Sequence, residues 1–237
     1  MLLWLVSCTT PTAITVPFIA VEGAHPITCG QRTPEGLTVS DLRLFVHDVA
    51  LIPASGAPVP LTLTPGPFQT ATVAMLDFED GCDNGTPPTH TTLTGTAPAG
   101  DYTGVTFTLG VPYAENHSDP SRATGPLSAT SMHWTWLGGY KFLRLDYARD
   151  NHRGKTHLGS TGCRGEIGDP QGCARDNRPT ASLPWRPGQT LTLDIAGLIG
   201  SEDCMAGEDE PGCAGVFRAL GLDLRTGQAA RPSEIFR

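Results

Sequence analysis

The sequence predicts an all-β protein, a single disulfide-stabilised β-sandwich or barrel-like domain with long loops and one or two short helices. Three observations lead there. Glycine and proline are abundant (28 and 21 of 237 residues) while charged residues make up only 17%, a balance that suits strands joined by many turns. Apolar and polar residues alternate over short runs, the two-residue period of a half-buried strand. Seven cysteines occur with no CxxC pair anywhere, which favours disulfides over a zinc site.

The elements follow in order. Met1 to Val6 is a short apolar run, and Leu5-Val6-Ser7-Cys8 has the form of a bacterial lipobox, whose cysteine carries the lipid after cleavage. Thr9 to Ala13 reads as a Thr/Pro tether. Residues 1–13 are therefore expected to be a signal segment and tether, and residues 14–237 one β-rich domain. Ile14 to Glu22 reads as the first strand, with Pro17 marking a sheet edge or a break. Leu37 to Ile52 alternates well enough for a strand or two. Leu61–Leu63, Thr70–Phe78 and Thr91–Thr96 continue the pattern, and Gly100-Asp101-Tyr102 turns the chain into a clear strand over Thr103–Val111.

Pro112 to Ala129 reads as loop with a short helical turn. Thr130–Trp136 and Tyr140–Tyr147 read as strands separated by Gly138-Gly139. Regularity then fades through a Gly- and Cys-rich stretch until Arg178–Leu183. Thr190–Ile195 is a further strand, and Ala196–Ile199 and Val216–Leu220 are short helices.

Charge and length exclude several function classes. With 16 basic against 24 acidic residues the formal net charge is −8, and no basic patch is present to hold nucleic acid. No apolar run is long enough to span a bilayer, so a membrane association would rest on the Cys8 lipid anchor, placing the protein in the bacterial periplasm or at the cell surface. Setting Cys8 aside leaves six cysteines. Cys163 and Cys173 flank one turn-rich loop, Cys204 and Cys213 flank another, and Cys29 with Cys82 would staple distant segments; six cysteines allow fifteen connectivities, so the pairing rests on loop proximity.

Residues able to do chemistry are few. Of the histidines His25, His47, His90, His117, His133, His152 and His157, two stand in positioned contexts. His117 follows a strand end in Glu115-Asn116-His117, and His157 opens His157-Leu158-Gly159-Ser160-Thr161-Gly162-Cys163, a loop a disulfide would pin. Such histidines suit metal ligation. Ser160 lies near His157, but no GxSxG elbow, P-loop or dinucleotide fingerprint exists. Asp77, Glu79 and Asp80 lack the spacing of an EF-hand. A non-enzymatic protein is expected.

The densest signal is MHWTWLGGYKF, Met132 to Phe142, which holds two of the four tryptophans. In a regular strand Met132, Trp134 and Trp136 would share one face, with His133 and Thr135 on the other. That geometry separates His133 from the indoles. Two indoles on one side call for a partner surface, a ligand or a chemical role.

Taken in order, NGT at residues 84–86, LGVPY…NH from Leu109 to His117, M·W·W··GYKF·R from Met132 to Arg144, HLGSTGC from His157 to Cys163 and the paired late cysteines resemble the MbnP family. This is the four-Cys-motif partner of the so-called metallo-mystery pair, and the resemblance spans roughly Phe18 to Leu222. It implies a monomeric periplasmic or surface-exposed protein encoded beside a dihaem MbnH-type protein related to dihaem peroxidases. That partner would oxidise a tryptophan to kynurenine, and the product, completed by histidines, would bind copper as Cu(I) or Cu(II). Carried onto this sequence, the modified residue is Trp134 or Trp136 and the histidines are His117 and His157. Six remaining cysteines exceed the family's four, so Cys29–Cys82 has the least family support. The alternative reading is a stapled β-sandwich that stacks a carbohydrate or other organic ligand on exposed Trp134 and Trp136. A surface lipoprotein without a site is the third.

Overall fold

The structure, a computed structural model, describes residues 10–82, 86–135, 137–166, 169–206 and 212–237. Cys8, Asn84 of the NGT motif and Trp136 lie outside the described residues. The strands run β1 (Pro11–Glu22), β2 (His25–Pro26), β3 (Leu37–Pro53), β4 (Val59–Pro60), β5 (Thr62–Leu63), β6 (Val73–Asp77), β7 (Thr92–Pro98) and β8 (Tyr102–Leu109). After α1 (Tyr113–Asn116) and three 3-10 turns come β9 (His133–Thr135), β10 (Gly139–Tyr140), β11 (Leu143–Arg149) and β12 (His152–Leu158). The chain ends through β13 (Thr161–Glu166), β14 (Asp169–Arg175), β15 (Thr180–Pro184), β16 (Leu191–Asp194) and α2 (Cys213–Leu220).

Two sheets form the sandwich. One has the order β16-β1-β7-β5 with β2 added on β1; the other has β12-β11-β3-β8-β15 with β4 and β6 added on β3. β1 begins at Pro11, inside the stretch expected to be tether, and runs unbroken through Pro17. The partner changes there. Pro11–Pro17 pair antiparallel with β7, and Phe18–Val21 pair parallel with β16. A residue without an N–H is least costly where one ladder ends and another begins. Phe18 on β1, Phe107 on β8 and Phe236 near the C-terminus meet edge to face, with centroids 4.9–6.4 Å apart, and lock the two sheets together.

β3 is the spine of the larger sheet. Leu37–Leu44 pair with β11, Arg43–His47 with β6, and Val46–Pro53 with β8. Its alternation puts Leu42, Leu44 and Val46 on the inner face and Asp41, Arg43, Phe45 and His47 on the outer one. All seven are buried. The outer set is covered because the excursion between β8 and β11 folds back over it: Tyr140 meets Phe45 at 5.8 Å, and Arg43 Nη1 donates to Ser131 Oγ at 2.9 Å.

Three disulfides brace this frame. Cys29–Cys82 ties the approach to β3 to the segment after β6, Cys163–Cys173 joins β13 to β14, and Cys204–Cys213 fixes the start of α2. Among the described residues no helix is long and apolar enough to cross a membrane.

Two expectations are corrected. The strand expected over Thr130–Trp136 starts only at His133, because Thr130–Met132 forms a 3-10 turn. Met132 turns into the core, fully buried, so it does not share a strand face with Trp134 by alternation. The 151–178 stretch, expected to be irregular, holds β12, β13 and β14. Its outward face on β12 is charged, and the β13–β14 hairpin is largely exposed on both sides, so neither shows an apolar alternation to read.

The outer face of the larger sheet carries a row of charges set by register. Asp77, Arg43, Arg144 and His157 stand in line across β6, β3, β11 and β12, with Asp41 and Asp146 paired in the next row. Two arginines and two aspartates therefore face like neighbours, and they resolve this by pairing along each strand and across one diagonal. Arg43 donates to both Asp41 carboxylate oxygens, while Arg144 reaches Asp41 at 3.1 Å and Asp146 at 2.6 Å. Asp77 at the end of the row is less well served. Burial pushes its carboxyl up to about 7 against the opposing pull of the Glu79 N–H and Arg43.

A carboxyl that holds its proton better when folded stabilises the fold fully below its unfolded pKa, and that contribution is lost as pH rises through the folded value. Asp77→Asn is expected to flatten the decline in stability between about pH 4 and about pH 7, a difference on the order of 1–3 kcal/mol. Urea unfolding of both proteins at several pH values measures it. Parallel pH profiles would contradict the assignment.

Candidate functional site

The capping excursion leaves β8 through Gly110 and forms α1, a single turn whose last residue, Asn116, is the clamp of the site. Asn116 is buried. Its Oδ1 accepts from the Tyr140 N–H at 2.9 Å, and its Nδ2 donates to the Gly138 carbonyl at 3.1 Å. These two bonds fix which end of the amide is which. Gly139 makes the approach possible: its φ is +79°, and a Cβ there would stand 2.3 Å from the Asn116 carbonyl oxygen.

His117 caps α1 and is buried. Its Nε2 lies 3.2 Å from Asn116 Nδ2, which can only donate, and 3.5 Å from Cys173 Sγ. The ring also hydrogen-bonds the Leu137 backbone. The imidazole is thus the Nδ1–H tautomer with its lone pair on Nε2. Burial, aided by the Arg178 charge, pushes its pKa down, which keeps that lone pair free of a proton at neutral pH.

His157 was expected in a disulfide-pinned loop and is instead inside strand β12, where the register opposite Arg144 fixes its direction. Its Nε2 lies 2.7 Å from Asp146 Oδ1. Burial alone would raise the Asp146 carboxyl, yet the bonds from His157 and Arg144 outweigh it and hold the group at about 2. An ionised carboxylate accepts only, so Nε2 carries a proton, and in the neutral ring the lone pair sits on Nδ1. That Nδ1 is buried with no hydrogen-bond partner among the described residues. Buried polar atoms without partners are rare and costly, and a carboxylate–imidazole pair that leaves one nitrogen open is the arrangement that orients a metal-binding histidine.

Trp134, half-buried, packs on the stretch that follows His157. Its six-membered ring covers Gly159, where an added Cβ would come within 2.8 Å of Trp134 Cε3 and of the Tyr140 carbonyl. Gly159 follows the end of β12, two residues on from His157. On its other side the indole borders a groove of about 400 Å³ shared with Leu137, Gly138, Ser160 and Cys163. Leu137 and Gly138 are the same residues that bind His117 and Asn116. Trp134 therefore borders residues that also neighbour His117 and Asn116. His133 turns its ring toward Tyr140, 5.4 Å away, away from this groove.

Asn116, Asp146 and Gly159 escaped the sequence reading as contributors. Gly159 and Asn116 lie inside motifs already singled out, whereas Asp146 is separated from His157 by a hairpin and becomes visible only once β11 and β12 are in register.

A disulfide-braced β-sandwich whose charged sheet face is capped by a segment carrying a half-buried tryptophan defines the class. Residues 11–209 match the MbnP family, and the chain belongs to that family. Among solved structures it is similar to MbnP from Methylosinus trichosporium, with a TM-score of 0.88 and 28% identity, the match covering 96% of this chain and 98% of that one. Comparison with curated proteins returns no match.

The contact between Trp134 and Gly159 is testable. Gly159→Ala is expected to destabilise the protein by about 1–3 kcal/mol through overpacking. In a double-mutant cycle with Trp134→Ala part of that loss is recovered, a coupling of about 1 kcal/mol. Additive effects in denaturant unfolding would show that the ring does not press on this position.

Proposed function

We propose that this protein is a non-enzymatic copper-binding protein of the bacterial periplasm or cell surface, held there through Cys8, and that Trp134 becomes a copper ligand after oxidation to kynurenine by a dihaem MbnH-type partner. An indole N–H gives its lone pair to the ring and donates only. Oxidative opening of the pyrrole ring releases an aniline-type nitrogen with a lone pair of its own. His117 Nε2 and His157 Nδ1 would complete a nitrogen-rich set suited to Cu(I) or Cu(II).

The observation that carries the reading is the buried, unpartnered Nδ1 of His157, whose other nitrogen is spoken for by an ionised Asp146. It is an atom prepared for a partner and lacking one among the described residues. Trp134, seated over the glycine two residues on, is the group whose chemical change would bring a nitrogen to that neighbourhood. The donor set therefore fits the metal. When bound, copper would supply a soft cationic centre; the chain's part is to present two unprotonated imidazole nitrogens and to keep Asp146 charged behind one of them.

After co-expression with the dihaem partner, peptide mass spectrometry is expected to find kynurenine in place of Trp134. The modified protein should bind one copper, and His117→Ala or His157→Ala should weaken it strongly. Asp146→Asn, which removes only the orienting group, is expected to cost about 10–100-fold in affinity. Unmodified Trp134, or unchanged affinity in both histidine variants, would overturn the reading.

A further inference from the structure

Where the cap meets the β13–β14 hairpin, a second set of ligand atoms converges. His117, Cys163 and Cys173 each offer one such atom, and all three lie within 4.8 Å of one another. We propose that reduction of the Cys163–Cys173 disulfide converts this corner into a distinct metal site, in which two thiolates and the His117 imidazole hold one soft d10 cation, Cu(I) above others. The site needs no oxidised tryptophan and is independent of the function proposed above.

Three features of the structure support it. The bond is reachable: Cys163 and Cys173 are half-buried on a hairpin whose other residues are mostly open to solvent, whereas Cys204 and Cys213 are buried. The sulfurs would stay together after reduction. Cys163 and Cys173 are direct cross-strand partners, and the pairs Thr161–Arg175 and Glu166–Asp169 hold the ladder on either side. A crosslink closing so short a loop adds less than a long-range one. The third ligand is already aimed, with His117 Nε2 unprotonated and 3.5 Å from Cys173 Sγ.

The chemistry balances with a dithiol as reductant. The dithiol gives two electrons and two protons, the Cys163–Cys173 S–S bond breaks into two thiols, and the dithiol closes to its own disulfide. Metal binding then releases the two thiol protons to water. Thiolate softness favours Cu(I) and related d10 ions over hard cations.

The test uses the full protein produced without the dihaem partner, so that Trp134 is unmodified and a failure of the kynurenine reading does not enter. The protein is treated with dithiothreitol, desalted without oxygen and titrated with Cd(II) as the probe, while alkylation and peptide mass spectrometry report which cysteines are free. Reduced protein with Cys163 and Cys173 free is expected to bind one Cd(II) with a thiolate-to-metal charge-transfer absorption that the oxidised protein lacks. The band should vanish in Cys163→Ser/Cys173→Ser, and Cd(II) should bind roughly tenfold more weakly, or worse, in His117→Ala. Should the serine variant not fold, His117→Ala alone decides, since unchanged affinity there removes the imidazole from the site. The proposal is also overturned by a folded protein whose Cys163–Cys173 bond resists the dithiol, by free thiols that bind no Cd(II), or by the same band in the serine variant.

Discussion

The hydrogen bond between Asp146 and His157 terminates a charge row that the larger sheet buries on its outer face, and the rest of the site follows from covering that row. A sheet face bearing Asp41, Arg43, Arg144 and Asp146 gains little from burial itself, because desolvating paired charges costs about as much as their attraction returns. It can be buried only if nearly every donor and acceptor is used. Pairing along the strands and across diagonals achieves this, leaving His157 as the residue that takes the last carboxylate oxygen.

The cap is built to match. Ser131 takes the spare Arg43 donor and Lys141 donates to the Ser131 carbonyl, while Tyr140 and Phe142 bring aromatic bulk over Phe45 and Arg178. Asn116 then ties the two ends of the cap to each other. Trp134 is held in that closed segment, pressed onto Gly159 just past the end of β12, where a side chain would clash. The tryptophan is therefore a fixed group within a rigid wall. The conversion proposed for Trp134 would need that fixity, since the new nitrogen would have to appear within reach of ligands already in place.

Much of this was legible in the chain, and the reasons it stopped are physical. Alternation over Thr103–Val111 and the apolar runs near Ile14 and Leu37 marked core strands because one face of each is apolar. β12 and the β13–β14 hairpin gave no such signal, since their outward residues include His157, Lys155 and glycines. His117, His157 and Trp134 stood out as residue types in dense motifs. What a one-dimensional reading could not supply was Asp146 as the partner of His157, which depends on hairpin register, or the 3-10 turn that detaches Met132 from the tryptophan's strand. His133 was set aside on strand geometry, and its ring does turn toward Tyr140.

The central claim is that Asp146 fixes His157 as the Nε2–H tautomer and leaves a bare Nδ1 facing the tryptophan's neighbourhood. Long-range proton–nitrogen NMR correlation on the metal-free protein reads the tautomer of each imidazole directly. The account predicts that in His157 Nε2 is protonated and Nδ1 is not, with His117 showing the opposite tautomer. A proton on His157 Nδ1, or rapid exchange between both tautomers, would contradict it.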